Sequence, residues 1–265
     1  MFGNPIGHSK SPLIHRLFAQ QCAEVMQYEA ILAPVDGFAD AWRNFVAAGG
    51  RGGNVTVPFK ELAFQLAEVL TERARKAGAV NTLSLNAQGQ LCGDNTDGAG
   101  LVADLIRLGV SLHGKRVLLL GAGGASRGVI QPLLSAGVAE LVLANRTLQK
   151  AELIAGSFSE QVKACALDTI PVQPYDLVIN ATSSGLSGSR PDISAQHLQH
   201  CQLAYDMMYG KEPTAFLQWC QLQGVAQCAD GLGMLVGQAA ESFAIWRGKK
   251  PDITPVLAEL KRQLA

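Results

Sequence analysis

The second half of the chain carries short, unbroken apolar runs at regular intervals: Arg116 to Leu120, Glu140 to Ala144, Val162 to Ala166, Asp176 to Asn180, Leu203 to Met207 and Val225 to Ala229. Helix-length segments separate the earlier runs. Continuous rather than alternating hydrophobicity suits strands buried on both faces, so the pattern predicts a doubly wound parallel sheet of six strands. Upstream the rhythm changes. Helices are expected over Ser11 to Cys22 and Gly37 to Ala48, and short strands over Tyr28 to Leu32, Asn54 to Val57, Val80 to Asn86 and Gln90 to Gly93. This mixture reads as a separate α/β unit. An amphipathic helix from Gly98 to Leu108 links the two units, and two final helices, Leu232 to Trp246 and Ile253 to Gln263, are long enough to pack back across the first. The expected division is residues 1–98, completed by 236–265, against residues 99–235. No internal repeat or low-complexity tract interrupts it.

Composition narrows the classes of function. A chain of 265 residues, 48% hydrophobic, can bury a large core. Its 22 basic and 22 acidic residues cancel, so no global field draws it to nucleic acid or an anionic membrane, and any anionic ligand must be held locally. There is no apolar run of about eighteen residues and no basic-then-apolar leader, which predicts neither a transmembrane helix nor a signal peptide and suggests the cytosol. The six cysteines form no Cys-x-x-Cys pair and the five histidines show no zinc-type partnering with them. They read as reduced thiols, mostly in the core, with no structural metal expected. His197 and His200, three apart on a polar stretch, read as a solvated helical face.

The chemistry at the second unit begins where Val117-Leu-Leu-Leu120 runs into Gly121, Ala122, Gly123, Gly124, Ala125 and Ser126, followed by a helix from about Arg127 to Ala136. Gly121 allows a tight turn, Gly123 lets backbone N–H groups approach a pyrophosphate, and the helix offers its positive N-terminus to that anion. Ser126 stands where the dinucleotide fingerprint has Gly or Ala, and its small side chain still permits close helix-to-strand packing. The end of the second strand selects the dinucleotide: a carboxylate there would hold the 2′-hydroxyl of NAD, but the chain reads Asn145-Arg146-Thr147, with Lys150 about one turn on. Arg146 can pair with a 2′-phosphate through its planar fork. NADP is therefore expected over NAD, with a solvated helix start as the alternative reading. Thr182 and Ser183, after the fourth strand, could touch the cofactor, and Met207, after the fifth, could pack near a nicotinamide ring.

At the first unit, Asn54-Val-Thr-Val-Pro-Phe-Lys60 puts Asn54, Thr56 and the Lys60 ammonium on a strand-to-helix turn, with Pro58 suited to the first helical turn. Ser9-Lys-Ser-Pro12 precedes a helix, with Ser11 as expected N-cap and Pro12 at the first helical position. Two hydroxyls and a helix N-terminus suit a carboxylate; a plain capping motif would use Ser11 and Pro12 alone. Asn81 and Asp97 fall at the ends of short strands, where a Gly- and Asp-rich turn is the simpler explanation.

Together these motifs resemble the shikimate dehydrogenase family: Gly3-Asn-Pro-Ile-Gly-His-Ser-Lys-Ser-Pro12, Asn54-Val-Thr-Val-Pro-Phe-Lys60, Gly78-Ala-Val-Asn-Thr82, Gly93-Asp-Asn-Thr-Asp-Gly98, Gly121-Ala-Gly-Gly-Ala-Ser126, Asn145-Arg-Thr147 and Asp230-Gly-Leu-Gly-Met234. They occur in the family's order and span almost the whole chain. The resemblance implies an N-terminal α/β substrate domain and a Rossmann-type NADP domain, and reversible NADPH-dependent reduction of 3-dehydroshikimate to shikimate. It implies carboxylate binding by Ser9 and Ser11 with help from Tyr209, and hydrogen bonds to substrate from Thr56, Asn81 and Gln238, beside Asn54. Lys60 and Asp97 become the catalytic pair and Gly231 joins the cofactor residues. The expected partner is a small molecule, and the chain a monomer or homodimer. One departure is visible: Met1 is followed at once by Phe2, so either the start was assigned late or the first strand is a stub, and the short form is expected to be less stable than one extended by several β-forming residues. Three rivals remain: a relative that also takes quinate, a non-catalytic metabolite sensor that keeps the fold, and a two-domain NADP reductase with another substrate.

Overall fold

Phe2 is the residue around which the first part of the chain is assembled. In the computed structural model, which describes residues 1–264, its ring is fully buried against Phe38, Trp42 and Phe45, and burial of such a side chain stabilises by about 1.5–3 kcal/mol. Strand β1 (Phe2–Gly3) pairs in parallel with β2 (Ile31–Leu32). A second sheet holds β3 (Gly52–Asn54), β4 (Val69–Leu70), β5 (Thr82–Leu85) and β6 (Leu91–Asp94) in the order β3-β5-β6-β4. Only β4 joins its neighbour in parallel, and a bridge from Phe2 to Val55 ties the two sheets together. Helix α1 (Ser11–Gln21) lies apart, while α2 (Phe38–Ala47), α3 (Lys60–Leu66) and α4 (Glu72–Ala77) bury Trp42, Ala63 and Ala74 in one core with Phe2 and Leu83.

Helix α5 (Asp97–Arg107) leads into a six-stranded sheet of β7 (Arg116–Leu120), β8 (Glu140–Asn145), β9 (Val162–Ala166), β10 (Leu177–Asn180), β11 (Leu203–Asp206) and β12 (Gln227–Asp230). Every pairing is parallel and the order is β12-β11-β10-β7-β8-β9, so the winding reverses between β7 and β10. Both faces of the central strands are covered, which is why β7, β8, β10 and β11 are apolar over most of their length and carry their polar residues at the ends. Val117 and Leu119 meet α5, α6 (Gly124–Ser135) and α7 (Leu148–Ala155), whereas Leu118 and Leu120 meet α8 (Ala215–Leu222). The last helices, α9 (Leu232–Arg247) and α10 (Ile253–Leu264), pack on α1 through Phe18, Val236, Phe243 and Leu257. This is the return across the first unit that the pattern predicts. Helices α5 and α9 touch backbone to backbone: a Cβ on Gly100 would stand 2.5 Å from the Gln238 nitrogen.

The structure departs from the sequence reading in several local details. The strand at Asn54 ends there instead of running to Val57, because Val55 and Thr56 turn to bond Asn81 and Phe2. The Val57–Pro58 bond is cis and α3 starts only at Lys60, so Pro58 sits in the turn, ahead of the helix. Lys10, not Ser11, is the N-cap of α1; Ser11 is already helical and buried. Helix α6 starts at Gly124, inside the glycine loop. His197 is buried beside Leu198 in a tight 3₁₀ turn over Ala195–Leu198, its ring edge-on to Tyr175, and is not part of a solvated face. All six cysteines are free; Cys201 and Cys220 are buried in the core, and Cys22, Cys165 and Cys228 pack partly buried against it, with Cys92 partly exposed in β6.

Candidate active site

Lys60 is the first residue of α3 and Asp97 the first of α5, so both side chains leave helix starts that rigid turns hold in place. Their charged ends meet, with Lys60 Nζ donating to Asp97 Oδ2 at 2.6 Å. The other oxygen, Oδ1, accepts from Asn81 Nδ2 at 2.8 Å, and the Asp97 backbone N–H donates to Asn95 Oδ1. The carboxylate is thereby held from two sides while the ammonium keeps donors to spare. The pair is mostly buried, at 31% and 16% side-chain exposure, where a charge acts more strongly on a neighbouring dipole than in water.

The pair lines a cleft of about 170 Å³ together with Thr56, Asn81, Gln238 and Tyr209. Asn54 also reaches this cleft, and Met207 and Gly231, after β11 and β12, close it from the six-stranded sheet. Burial, with the nearby Asp230, holds the Tyr209 phenol above its ordinary value, so it is a hydrogen-bond donor here and not an anion. Ser9 and Ser11 do not line this cleft. Ser9 borders a neighbouring one with Lys10, Arg16 and Tyr28, and Ser11 is buried next to the Tyr28 hydroxyl. Tyr28 donates to Asn54 Oδ1 at 2.6 Å and so joins the serine side to the cleft.

Behind the cleft lies a buried polar network that orders it. Asn54 Nδ2 donates to Ser242 Oγ at 2.9 Å and to Thr82 Oγ1 at 3.1 Å. Asn81 Oδ1 accepts from the Thr96 backbone N–H at 2.8 Å, and Asn81 Nδ2 also faces Gln238 Oε1. Each polar atom is paired, which is the condition for burying such groups without a large penalty. Tyr28, Thr82, Thr96 and Ser242 were not singled out by the sequence. A signal existed for three of them: Thr82 and Thr96 lie inside the Gly78–Thr82 and Gly93–Gly98 motifs, and Ser242 follows Gln238 by four residues on α9, on the same helical face.

The glycine loop has the shape an anionic cofactor needs. Gly121 has φ of +101°, and a Cβ on Gly123 or Gly124 would meet nothing within 4 Å. The N-cap of α6 is Gly123 and no side chain covers it, so the first N–H groups of the helix face open space. The Ala122 N–H donates to Asn145 Oδ1, linking the loop to the end of β8, while Ala125 follows in the first turn and Ser126 is buried against the sheet. Arg146, Thr147 and Lys150 are exposed together after β8, and no carboxylate stands at that strand end. Thr182 caps the end of β10 by bonding Asn180, with Ser183 exposed next to it.

Comparison with known proteins gives the family. Residues 1–83 match the family model of the shikimate dehydrogenase substrate binding domain, 104–203 that of shikimate / quinate 5-dehydrogenase, and 231–261 that of the shikimate 5′-dehydrogenase C-terminal domain. The chain is 54% identical to the NADP(+) shikimate dehydrogenase of Photobacterium profundum, over 100% of this chain and 97% of that protein. The chain belongs to the shikimate dehydrogenase family. Among solved structures, an Ael1 enzyme from Pseudomonas putida superposes with a TM-score of 0.94 at 44% identity, covering 98% of this chain and 96% of that one. The shikimate 5-dehydrogenase of Thermus thermophilus, solved in complex with NADP(H) and shikimate, gives 0.87 at 32% identity over 100% and 98%. The two-domain α/β architecture of shikimate dehydrogenases is thus the architecture of this chain.

Proposed function

We propose that this chain catalyses the reversible, NADPH-dependent reduction of 3-dehydroshikimate to shikimate. The observation that carries the reading is the Lys60–Asp97 pair at 2.6 Å in a cleft bordered by the four-stranded and the six-stranded sheets. Residues 1–98 with 236–265 form the substrate domain in this reading and 99–235 the cofactor domain. NADPH, when bound, supplies the hydride; Gly121 to Ser126 would hold its pyrophosphate, and Asn145, Arg146, Thr147 and Lys150 its 2′-phosphate, with Thr182, Ser183, Met207 and Gly231 along the rest. Lys60 stabilises negative charge developing on the substrate oxygen and passes it a proton. Asp97 orients Lys60 and accepts from a substrate hydroxyl, and Asn81 fixes Asp97 from behind. Thr56, Asn81, Gln238 and Asn54 bond the ring substituents, and Ser9, Ser11 and Tyr209 take the carboxylate. The serines lie outside the main cleft, so their role requires the substrate to reach past Tyr28. No helix among the described residues is long and apolar enough to cross a membrane, and six free thiols suit the reducing cytosol.

A second reading, dual use of shikimate and quinate, draws on the family model that names both substrates. Initial rates of oxidation of shikimate and of quinate, each with NADP and with NAD, separate the two. Turnover confined to shikimate with NADP supports the first; comparable quinate or NAD rates support the second. A folded protein that binds NADPH and turns over neither substrate would instead point to a sensor or to damage from the short N-terminus, which restoring an upstream strand would separate.

A further inference from the structure

At the carboxyl ends of the six-stranded sheet, Asn180 on β10 and Asp206 on β11 stand in register, both with no exposed surface. Asp206 is a buried carboxylate whose three side-chain partners are all neutral donors. Its Oδ1 accepts from the Met208 backbone N–H at 3.0 Å, and its Oδ2 accepts from Asn180 Nδ2 at 3.0 Å and from Thr214 Oγ1 at 2.6 Å. Burial without a cation raises its pKa, so holding a charge here costs stability that a structural Asn or Leu would avoid. Asn180 passes the ordering on. Its Oδ1 accepts from the backbone N–H of Thr182 at 3.1 Å and from its hydroxyl at 2.7 Å. On the other side, the Met208 carbonyl accepts from the Gly231 N–H at 3.1 Å, and Gly231 packs on Met207 too closely for a side chain.

We propose that Asn180 and Asp206 are a positioning pair that sets the loop carrying Thr182 and the loop carrying Met207 and Tyr209 at one fixed distance, so that the cofactor side and the substrate side of the cleft are placed by a single hydrogen-bonded unit. The proposal rests on the functional reading above for what the two loops hold. Neither residue reaches the cleft or the reacting atoms. The chemistry explains why the pair is an amide and a carboxylate in this arrangement. The Thr182 and Met208 backbone N–H groups are obligate donors, so Asn180 must turn its oxygen to Thr182 and its NH₂ to residue 206, and residue 206 must present acceptors both to that NH₂ and to Met208. An amide at 206 meets a donor in either orientation.

The test is a swap. Asp206→Asn is expected to lower kcat/KM for shikimate with NADP by about 10-fold or more through misplacement, and to weaken NADPH binding, read by quenching of protein fluorescence, well below the melting temperature. Adding Asn180→Asp restores the pattern: the carboxylate at 180 accepts from Thr182 and from the new amide, whose oxygen accepts from Met208 and whose NH₂ meets a Thr214 hydroxyl free to rotate. The double variant should return to within a few-fold of wild type in both readouts. Wild-type kinetics and NADPH affinity in folded Asp206→Asn would overturn the proposal and leave the pair a fold element only. Should that variant fail to fold, the double variant decides: a folded double with kcat/KM still down about 10-fold overturns it. Wild type assayed alongside separates the two ideas, since an inactive wild type refutes the functional reading while NADPH binding still tests the pair.

Discussion

Acidification from pH 7 to pH 5 should cost the fold about 2 kcal/mol through one residue, His15. The imidazole lies on α1 with no exposed surface, stacked on Tyr28 at 4.2 Å and packed against Phe18, Phe243 and Trp246, and among the described residues neither ring nitrogen has a partner in hydrogen-bond geometry, the nearby Asn54 side chain only weakly opposing the loss of its proton. Burial, reinforced by the nearby N-terminal ammonium, pushes it from 6.5 down to about 3. The unfolded imidazole takes up its proton as pH falls below 6.5, while the folded one stays neutral to about 3. Stability is therefore present above 6.5 and is lost as pH drops through that window, at about 1.4 kcal/mol per unit once below 6.5, or about 2 kcal/mol by pH 5. The assay is urea denaturation of wild type and His15→Phe at both pH values. Repacking costs in the variant enter equally at the two pH values and cancel from the difference between them, as does titration of groups common to both. The gap between the two proteins should move by about 2 kcal/mol in favour of the variant on acidification. Parallel pH curves would refute the reasoning and mean that the imidazole finds a proton acceptor in the fold.

Three further outcomes follow from the site. Lys60→Ala should lower kcat by roughly 10²-fold or more with a smaller effect on KM, and steady-state kinetics showing near-normal kcat would remove Lys60 from the chemistry. Arg146→Ala should weaken NADPH far more than NADH in titrations; equal losses would mean that the 2′-phosphate is held elsewhere. Gly100→Ala forces a methyl onto the Gln238 backbone, so it should destabilise by about 1–3 kcal/mol and raise the KM for substrate by moving Gln238, and an unchanged denaturation midpoint would show that α5 and α9 separate without cost.

The sequence alone determined the six parallel strands, because a strand covered on both faces is apolar along most of its length, and Val117-Leu-Leu-Leu120 could hardly be read otherwise. It also determined the glycine loop and the basic strand end at Arg146, since a tight turn, an open helix start and a missing carboxylate are properties of adjacent residues. Local capping was read less well: Ser11 and Pro58 carry the right residue types for a helix start, yet burial of Ser11 beside Tyr28 and the turn at Val55 and Thr56 moved both starts. Only the tertiary structure decided which polar residues share the cleft. Asn54, Asn81, Thr96 and Ser242 are far apart in the chain and each is unremarkable alone; they pair because the Gly100 and Gly237 contact lets α9 lie against α5. The same holds for His15, whose depressed pKa comes from burial against Tyr28 and against Phe243 and Trp246 of α9, two segments distant in the chain. Propensity and pattern act over a few residues, whereas burial and hydrogen-bond pairing are decided between residues that only the closed fold brings together.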